Sequence, residues 1–139
     1  RRALVTGASD GMGLRIAEDL VAEEPGNVAY QRDLAHAYER LASVVPLKKA
    51  RTLLLRAVDL RRRVYEREPK RVDFAENLAS ALSFKVKVFE KLDRRRDVEG
   101  RDQIRRILTP FKKKGILTKE GRSLLRWAGE RPRRPSADR

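Results

Sequence analysis

Residues 24–41, EPGNVAYQRDLAHAYERL, return 44 positions later as residues 68–85, EPKRVDFAENLASALSFK. Both copies open on Glu-Pro, and the same offset then pairs apolar residues between positions 28 and 38 of the first copy. The pairs are Val28/Val72, Tyr30/Phe74, Leu34/Leu78, Ala35/Ala79, Ala37/Ala81 and Tyr38/Leu82. The same shift places Leu60 on Ile104 and Val64 on Leu108, which indicates a third, weaker copy. An internal period of this length predicts a repeat protein.

Each copy predicts two helices. Apolar residues fall three or four apart between positions 30 and 45, so they form one stripe on a helix. Asn27 is a suitable N-cap, and Pro46 ends this helix. A second stripe runs between positions 53 and 64, and Pro69 ends it. Each copy is therefore predicted to form a helical hairpin.

Three further helices are predicted downstream. A stripe at positions 74–89 repeats the first helix, and a charged connection follows at residues 93–100. A short helix then carries apolar residues at positions 104–108 and is expected to end near Pro110. Thr118 is expected to cap a last helix.

The predicted fold is all-α, with antiparallel helical hairpins stacked as a short α-solenoid. One hairpin cannot bury both of its apolar stripes alone, so neighbouring hairpins have to stack. The expected organisation is a glycine-rich segment at residues 1–13, a helical-repeat domain at 14–128, and a disordered basic tail at 129–139. Because the sequence starts at Arg1 and holds few repeats, we expect it to be a fragment of a longer protein.

Residues 16–41, IAEDLVAEEPGNVAYQRDLAHAYERL, resemble the tetratricopeptide-like repeats of large bacterial signalling proteins, and residues 60–82 resemble a diverged unit of the same kind. The spacing is 44 residues where the family usually has 34. The resemblance implies a non-catalytic scaffold that binds a protein or peptide partner. Its contacts are expected among polar residues off the apolar stripe of each first helix: Gln31, Arg32, Glu39, Glu76 and Asn77.

The charge distribution supports a different function. Residues 45–139 hold 29 basic and 13 acidic residues, a net charge of +16, whereas residues 1–44 carry −2. This field would attract a polyanion such as nucleic acid, or it is a solvated Arg-rich face. Three basic triplets, at 61–63, 94–96 and 112–114, would make phosphate contacts if they met on one face. A nucleic-acid-binding helical module is therefore the first alternative.

Residues 3–20, ALVTGASDGMGLRIAEDL, resemble the start of a short-chain dehydrogenase/reductase. The resemblance implies that Thr6, Gly7, Gly11 and Gly13 would line a nicotinamide cofactor site, and a remnant NAD(P)-binding segment is the second alternative. The family's second strand and its Tyr-x-x-x-Lys are absent. We therefore expect no bound cofactor and no enzyme activity. Residues 1–13 are read either as a degenerate first helix and turn of a preceding repeat, as a dehydrogenase-derived scrap, or as a working cofactor site.

Composition excludes several classes of site. The chain has no cysteine and a single histidine, His36, so disulfides and thiolate catalysis are excluded, and no catalytic or metal-binding residues are expected. No run of about 18 apolar residues is present, so no membrane span is predicted. A cytoplasmic location is the default expectation.

Overall fold

The computed structural model describes residues 10–131, and this part of the chain folds into six α-helices without a strand. The predicted all-α class is therefore confirmed. The helices are α1 (Asp10–Glu23), α2 (Val28–Ala42), α3 (Leu47–Arg67), α4 (Val72–Asp93), α5 (Val98–Lys113) and α6 (Lys119–Gly129).

The predicted N-caps start their helices. The Asn27 side chain accepts a hydrogen bond of 3.0 Å from the backbone N–H of Tyr30 at the start of α2. The Thr118 hydroxyl accepts one of 3.1 Å from the N–H of Gly121 at the start of α6. Each bond satisfies a backbone donor that has no partner within its helix.

Helices pack in chain order. Each contacts the next one, and α4 also contacts α6. Three buried clusters follow one another along this stack, the first formed by α1, α2 and α3, the second by α2, α3 and α4, and the third by α3 to α6. The repeat positions Leu34 and Leu78 are buried in both copies, as are Ala35 and Ala79. The period of the sequence therefore marks the faces that α2 and α4 turn to the core.

Helix α5 is longer than predicted. It begins at Val98, inside the expected 93–100 connection, and continues through Pro110 to Lys113. Pro110 has no N–H to donate to the Arg106 carbonyl, but both residues are exposed, so water can bond that carbonyl. The buried face also continues beyond the proline to Phe111, and this packing favours the helix.

The helix ends instead at Lys113, and Gly115 forms the turn that stops it. The N–H of Gly115 bonds the Lys112 carbonyl at 2.9 Å, and the N–H of Ile116 bonds the Phe111 carbonyl at 3.1 Å. This pair of bonds is a Schellman motif, and it needs the left-handed backbone that Gly115 adopts at φ 71°.

The first and last helices begin and end at positions that differ from the predicted segment boundaries. Helix α1 begins at Asp10, so Gly11 and Gly13 are helical, and Gly129 is the last residue of α6 and not the first of the tail. Thr6, Gly7 and residues 132–139 lie outside the described residues. Within residues 10–131, no helix combines the length and apolar character that crossing a bilayer requires.

Candidate functional site

An apolar groove lies between α1 and α2. It has a volume of about 250 Å³ and takes its apolar wall from both helices. Gly13 belongs to its lining as well, so this residue of the glycine-rich segment lies at a surface of the helical domain. The lining residues are Gly13, Leu14, Ala17, Asp33, His36, Ala37, Arg40 and Leu41.

A polar groove lies on the other flank of α2, where α3 and α4 also contribute. Its volume is about 370 Å³. Asp33 and His36 line both grooves, so the exposed face of α2 forms a ridge between them. The lining residues of the polar groove are Ala29, Arg32, Asp33, His36, Arg61 and Asn77.

Two of the five expected contact residues meet in the polar groove. Arg32 is exposed on α2, and its guanidinium carbon lies 5.3 Å from the centre of the Phe74 ring on α4. Asn77 is half-buried on α4. The structure thus brings together residues that are 45 positions apart in the sequence.

Glu39 adjoins this groove through Arg61. The Arg61 Nε and one terminal nitrogen donate to the two Glu39 oxygens at 3.0 and 2.9 Å. The side chains are only 11% and 19% exposed, so this two-point ion pair holds the Arg61 guanidinium in place at the groove wall. Glu39 therefore offsets the charge of a groove residue.

The other two expected contacts lie elsewhere. Glu76 binds Thr118 through both carboxylate oxygens, at 2.8 Å each. Gln31 was predicted to stand off the apolar stripe, which is wrong, because the residue is 4% exposed. Its amide nitrogen donates to the Pro25 carbonyl at 2.5 Å, and its Oε1 is buried without a partner among the described residues. Gln31 is thus part of the interior beneath the start of α2.

Asp33 and His36 were missed as groove residues. They lie three positions apart, and with Arg32 and Arg40 they occupy the exposed face of α2. A helical-wheel reading from the buried positions Leu34, Ala35 and Tyr38 would have placed them there. What it could not provide is the groove itself, since Asn77 and Arg61 come from other helices.

The three arginines of the first basic triplet, at residues 61–63, contact partners on three different helices. Arg61 pairs with Glu39 on α2, Arg62 donates to Gln103 on α5 at 3.1 Å, and Arg63 pairs with Asp59 one turn earlier at 2.8 Å. Three consecutive helical residues spread around the helix at about 100° each, so they cannot share one ligand face. This triplet is therefore not a single polyanion site.

No family model, no curated protein and no solved structure matches this chain. The four glycine-turn residues are divided: Gly11 and Gly13 lie in α1, whereas Thr6 and Gly7 lie outside the described residues.

Proposed function

We propose that this chain is a non-catalytic interaction module of tetratricopeptide-like repeats, part of a larger signalling protein, that holds a peptide segment of a partner protein across α2. The observation that carries the proposal is the pair of grooves that share Asp33 and His36. One groove has an apolar wall and the other has a polar wall. Together they suit a peptide segment that carries both apolar and polar side chains.

The repeat reading draws support from the helix boundaries. Helices α2 and α4 begin at Val28 and Val72, which is the 44-residue period of the sequence. Short turns connect them to α3 and α5, so α2 and α3 form one helical hairpin and α4 and α5 another. Asp33 and His36 are exposed on α2, a solvated setting that is more typical of a binding surface than of an acid–base pair.

The apolar groove would receive an apolar anchor residue. Leu14, Ala17 and Leu41 are only partly buried, and covering them would remove apolar surface from water. Each square ångström of apolar surface buried contributes about 25 cal/mol. This groove therefore supplies affinity.

The polar groove would receive the backbone and a carboxylate. The Asn77 amide has donors and an acceptor, so it matches a peptide unit, and the exposed Arg32 guanidinium matches a carboxylate. Leu41 and Arg32 are nine positions apart on α2, a rise of about 13 Å along the helix axis, and they lie in the grooves on its two flanks. An extended segment covers the axial distance in about four residues and needs further length to cross the helix. The expected ligand therefore carries an apolar residue and, more than four positions away, an acidic one.

The test uses a phage-displayed library of random dodecapeptides, selected on the full chain and counter-selected on the Arg32→Glu/Asn77→Ala double variant. We expect enriched sequences with an apolar and an acidic residue, and at least a tenfold weaker affinity for the double variant. Lys49→Glu, at an exposed position in the first turn of α3, is the matched charge-reversal control and should bind like the wild type.

Two results would overturn the proposal. One is a selection that enriches no peptide at all. The other is a set of peptides that bind the double variant as tightly as the wild type, which would place the contact elsewhere. Circular dichroism of each variant establishes that lost binding does not reflect lost helix.

A further inference from the structure

A third groove lies between α5 and α6 and is basic along both walls. Its volume is about 590 Å³. Its lining positions on α5 are four and three residues apart, and those on α6 are three, one and three apart, so each helix contributes one face. The lining residues are Arg105, Thr109, Lys112, Arg122, Leu125, Arg126 and Gly129.

The four cations of this groove are weakly compensated. Arg105 pairs with Asp102 at 3.6 Å, but both side chains are about half exposed, and such pairs contribute little. Arg122 donates to the Leu117 carbonyl at 2.8 Å and keeps its charge. Lys112 and Arg126 are exposed and have no side-chain partner among the described residues. The groove therefore presents a net positive field.

We propose that this groove binds the phosphate backbone of double-stranded nucleic acid without reading its sequence. The argument begins with the spacing of the cations. Arg122 and Arg126 are one turn apart, a rise of about 6 Å, and Arg105 and Lys112 are two turns apart, about 10 Å. Two rows of cations on adjoining helices suit a chain of phosphates, and the planar guanidinium can bond two oxygens of one phosphate.

The absence of an aromatic side chain from the groove lining favours a duplex over a single strand. Proteins that bind single strands combine phosphate contacts with aromatic rings on which the bases stack, whereas duplex binding without sequence preference needs phosphate contacts alone. Trp127 on α6 is not available for stacking, because Arg101 and Lys87 lie 4.1 and 5.0 Å from its ring centre. This surface uses α5 and α6, so it is separate from the grooves that flank α2.

The test measures binding of a fluorescein-labelled 20-base-pair DNA duplex to the full chain between 25 and 200 mM salt by anisotropy. Each phosphate contact contributes about 0.9 to the slope of log affinity against log salt. We expect the magnitude of that slope to fall by about two in Lys112→Gln/Arg126→Gln, the two cations without partners. Lys48→Gln/Lys49→Gln removes the same charge from the exposed start of α3 and should leave the slope unchanged.

Three results would overturn this proposal. The first is no binding at 25 mM salt. The second is an equal loss in both double variants, which would show a diffuse effect of net charge. The third is that poly-glutamate competes as effectively as unlabelled duplex at the same concentration of negative charge. That result would assign the groove to acidic polypeptides. None of these results bears on the peptide grooves, since no residue is shared.

Discussion

Glu76 on α4 binds Thr118 at the start of α6 through two hydrogen bonds, from the backbone N–H and from the hydroxyl, each 2.8 Å long. Thr118 is itself the N-cap of α6. One carboxylate therefore fixes the helix start that lies 42 positions later in the sequence, and its negative charge sits at the positive end of the α6 dipole. This contact, together with the packing of α6 on α5, fixes the position of α6 and with it one wall of the basic groove.

Gly121 adjoins the same contact, and Gly121→Ala is expected to destabilise the protein. A Cβ at this position would lie 2.2 Å from a Glu76 oxygen and 3.1 Å from Leu117. The carboxylate can move only by giving up Thr118, so the cost is about 1 to 3 kcal/mol of unfolding free energy. Urea denaturation followed by circular dichroism measures it.

The control for Gly121→Ala is a double-mutant cycle with Glu76→Ala. Removing the carboxylate removes the clash, so the alanine at position 121 should cost less in that background, by about 1 kcal/mol or more. Equal costs in both backgrounds would mean that Glu76 is not what Gly121 accommodates.

The ion pair of Glu90 and Arg101 makes stability depend on pH. Two Arg101 nitrogens donate to the Glu90 carboxylate, at 2.8 and 2.9 Å. These bonds lower the pKa of Glu90, the N–H of Asp97 adds to the effect, and burial opposes it. The unfolded chain thus takes up this proton at higher pH than the folded one. The stabilisation is complete above the ordinary glutamate pKa of about 4.3 and is lost as the pH falls through the lowered value.

Glu90→Gln should therefore lower stability at pH 7 by about 1 to 3 kcal/mol, and the difference from the wild type should narrow below about pH 4. Trp127 is the single tryptophan, and Arg101 lies against its ring and donates to its carbonyl, so its fluorescence reports unfolding at each pH. Glu66→Gln, at an exposed position on α3, is the matched control. A constant difference between Glu90→Gln and the wild type from pH 7 to pH 3 would contradict the assignment.

Arg94 is expected to be a suboptimal residue at the end of α4. Its φ is 55°, in the left-handed region that costs a non-glycine residue about 1 to 2 kcal/mol. Glycine avoids this cost, but it also increases the conformational entropy of the unfolded chain, which offsets part of the gain. Arg94→Gly should therefore raise the free energy of unfolding by about 0.5 to 1 kcal/mol. Thermal denaturation measures it. Gly115→Ala is the reciprocal control, since Gly115 has φ 71° with no atom near its missing Cβ, and it should lower stability through the backbone alone.

The sequence predicts local features of this fold and misses those that need tertiary contacts. Helices α2, α3 and α4 follow from apolar spacing, and the Asn27 and Thr118 caps follow from residue type. The sequence predicts the end of α5 near Pro110, whereas the helix continues to Lys113 and stops at the turn formed by Gly115; a glycine that follows three lysines is itself a helix-stop signal. A helical wheel would also have placed Gln31 on the buried face of α2, because it shares that face with Leu34 and Tyr38.

The candidate site is predicted less well than the helices. Arg32 and Asn77 were named from the stripe pattern, but their common groove also requires Arg61, whose orientation depends on Glu39 in another helix. Arg101 shares a face with Ile104 and Leu108 and is 9% exposed, although a charged residue is ordinarily found at the surface. Arg101 can be buried because it forms an ion pair with Glu90. The spacing of apolar residues does not predict a partner that lies across a turn.

Glu39→Gln should separate two roles for a residue predicted to contact the partner. The substitution leaves Arg61 without its ion pair in a largely buried setting, which should cost about 1 to 3 kcal/mol of unfolding free energy. It also releases positive charge into the polar groove, so acidic peptides selected on the wild type should bind a few-fold more tightly. Calorimetric titration of one such peptide measures this change, and Arg61→Gln is the matched control that should weaken binding. Weaker binding by Glu39→Gln itself would show that Glu39 contacts the peptide directly and does not act through Arg61.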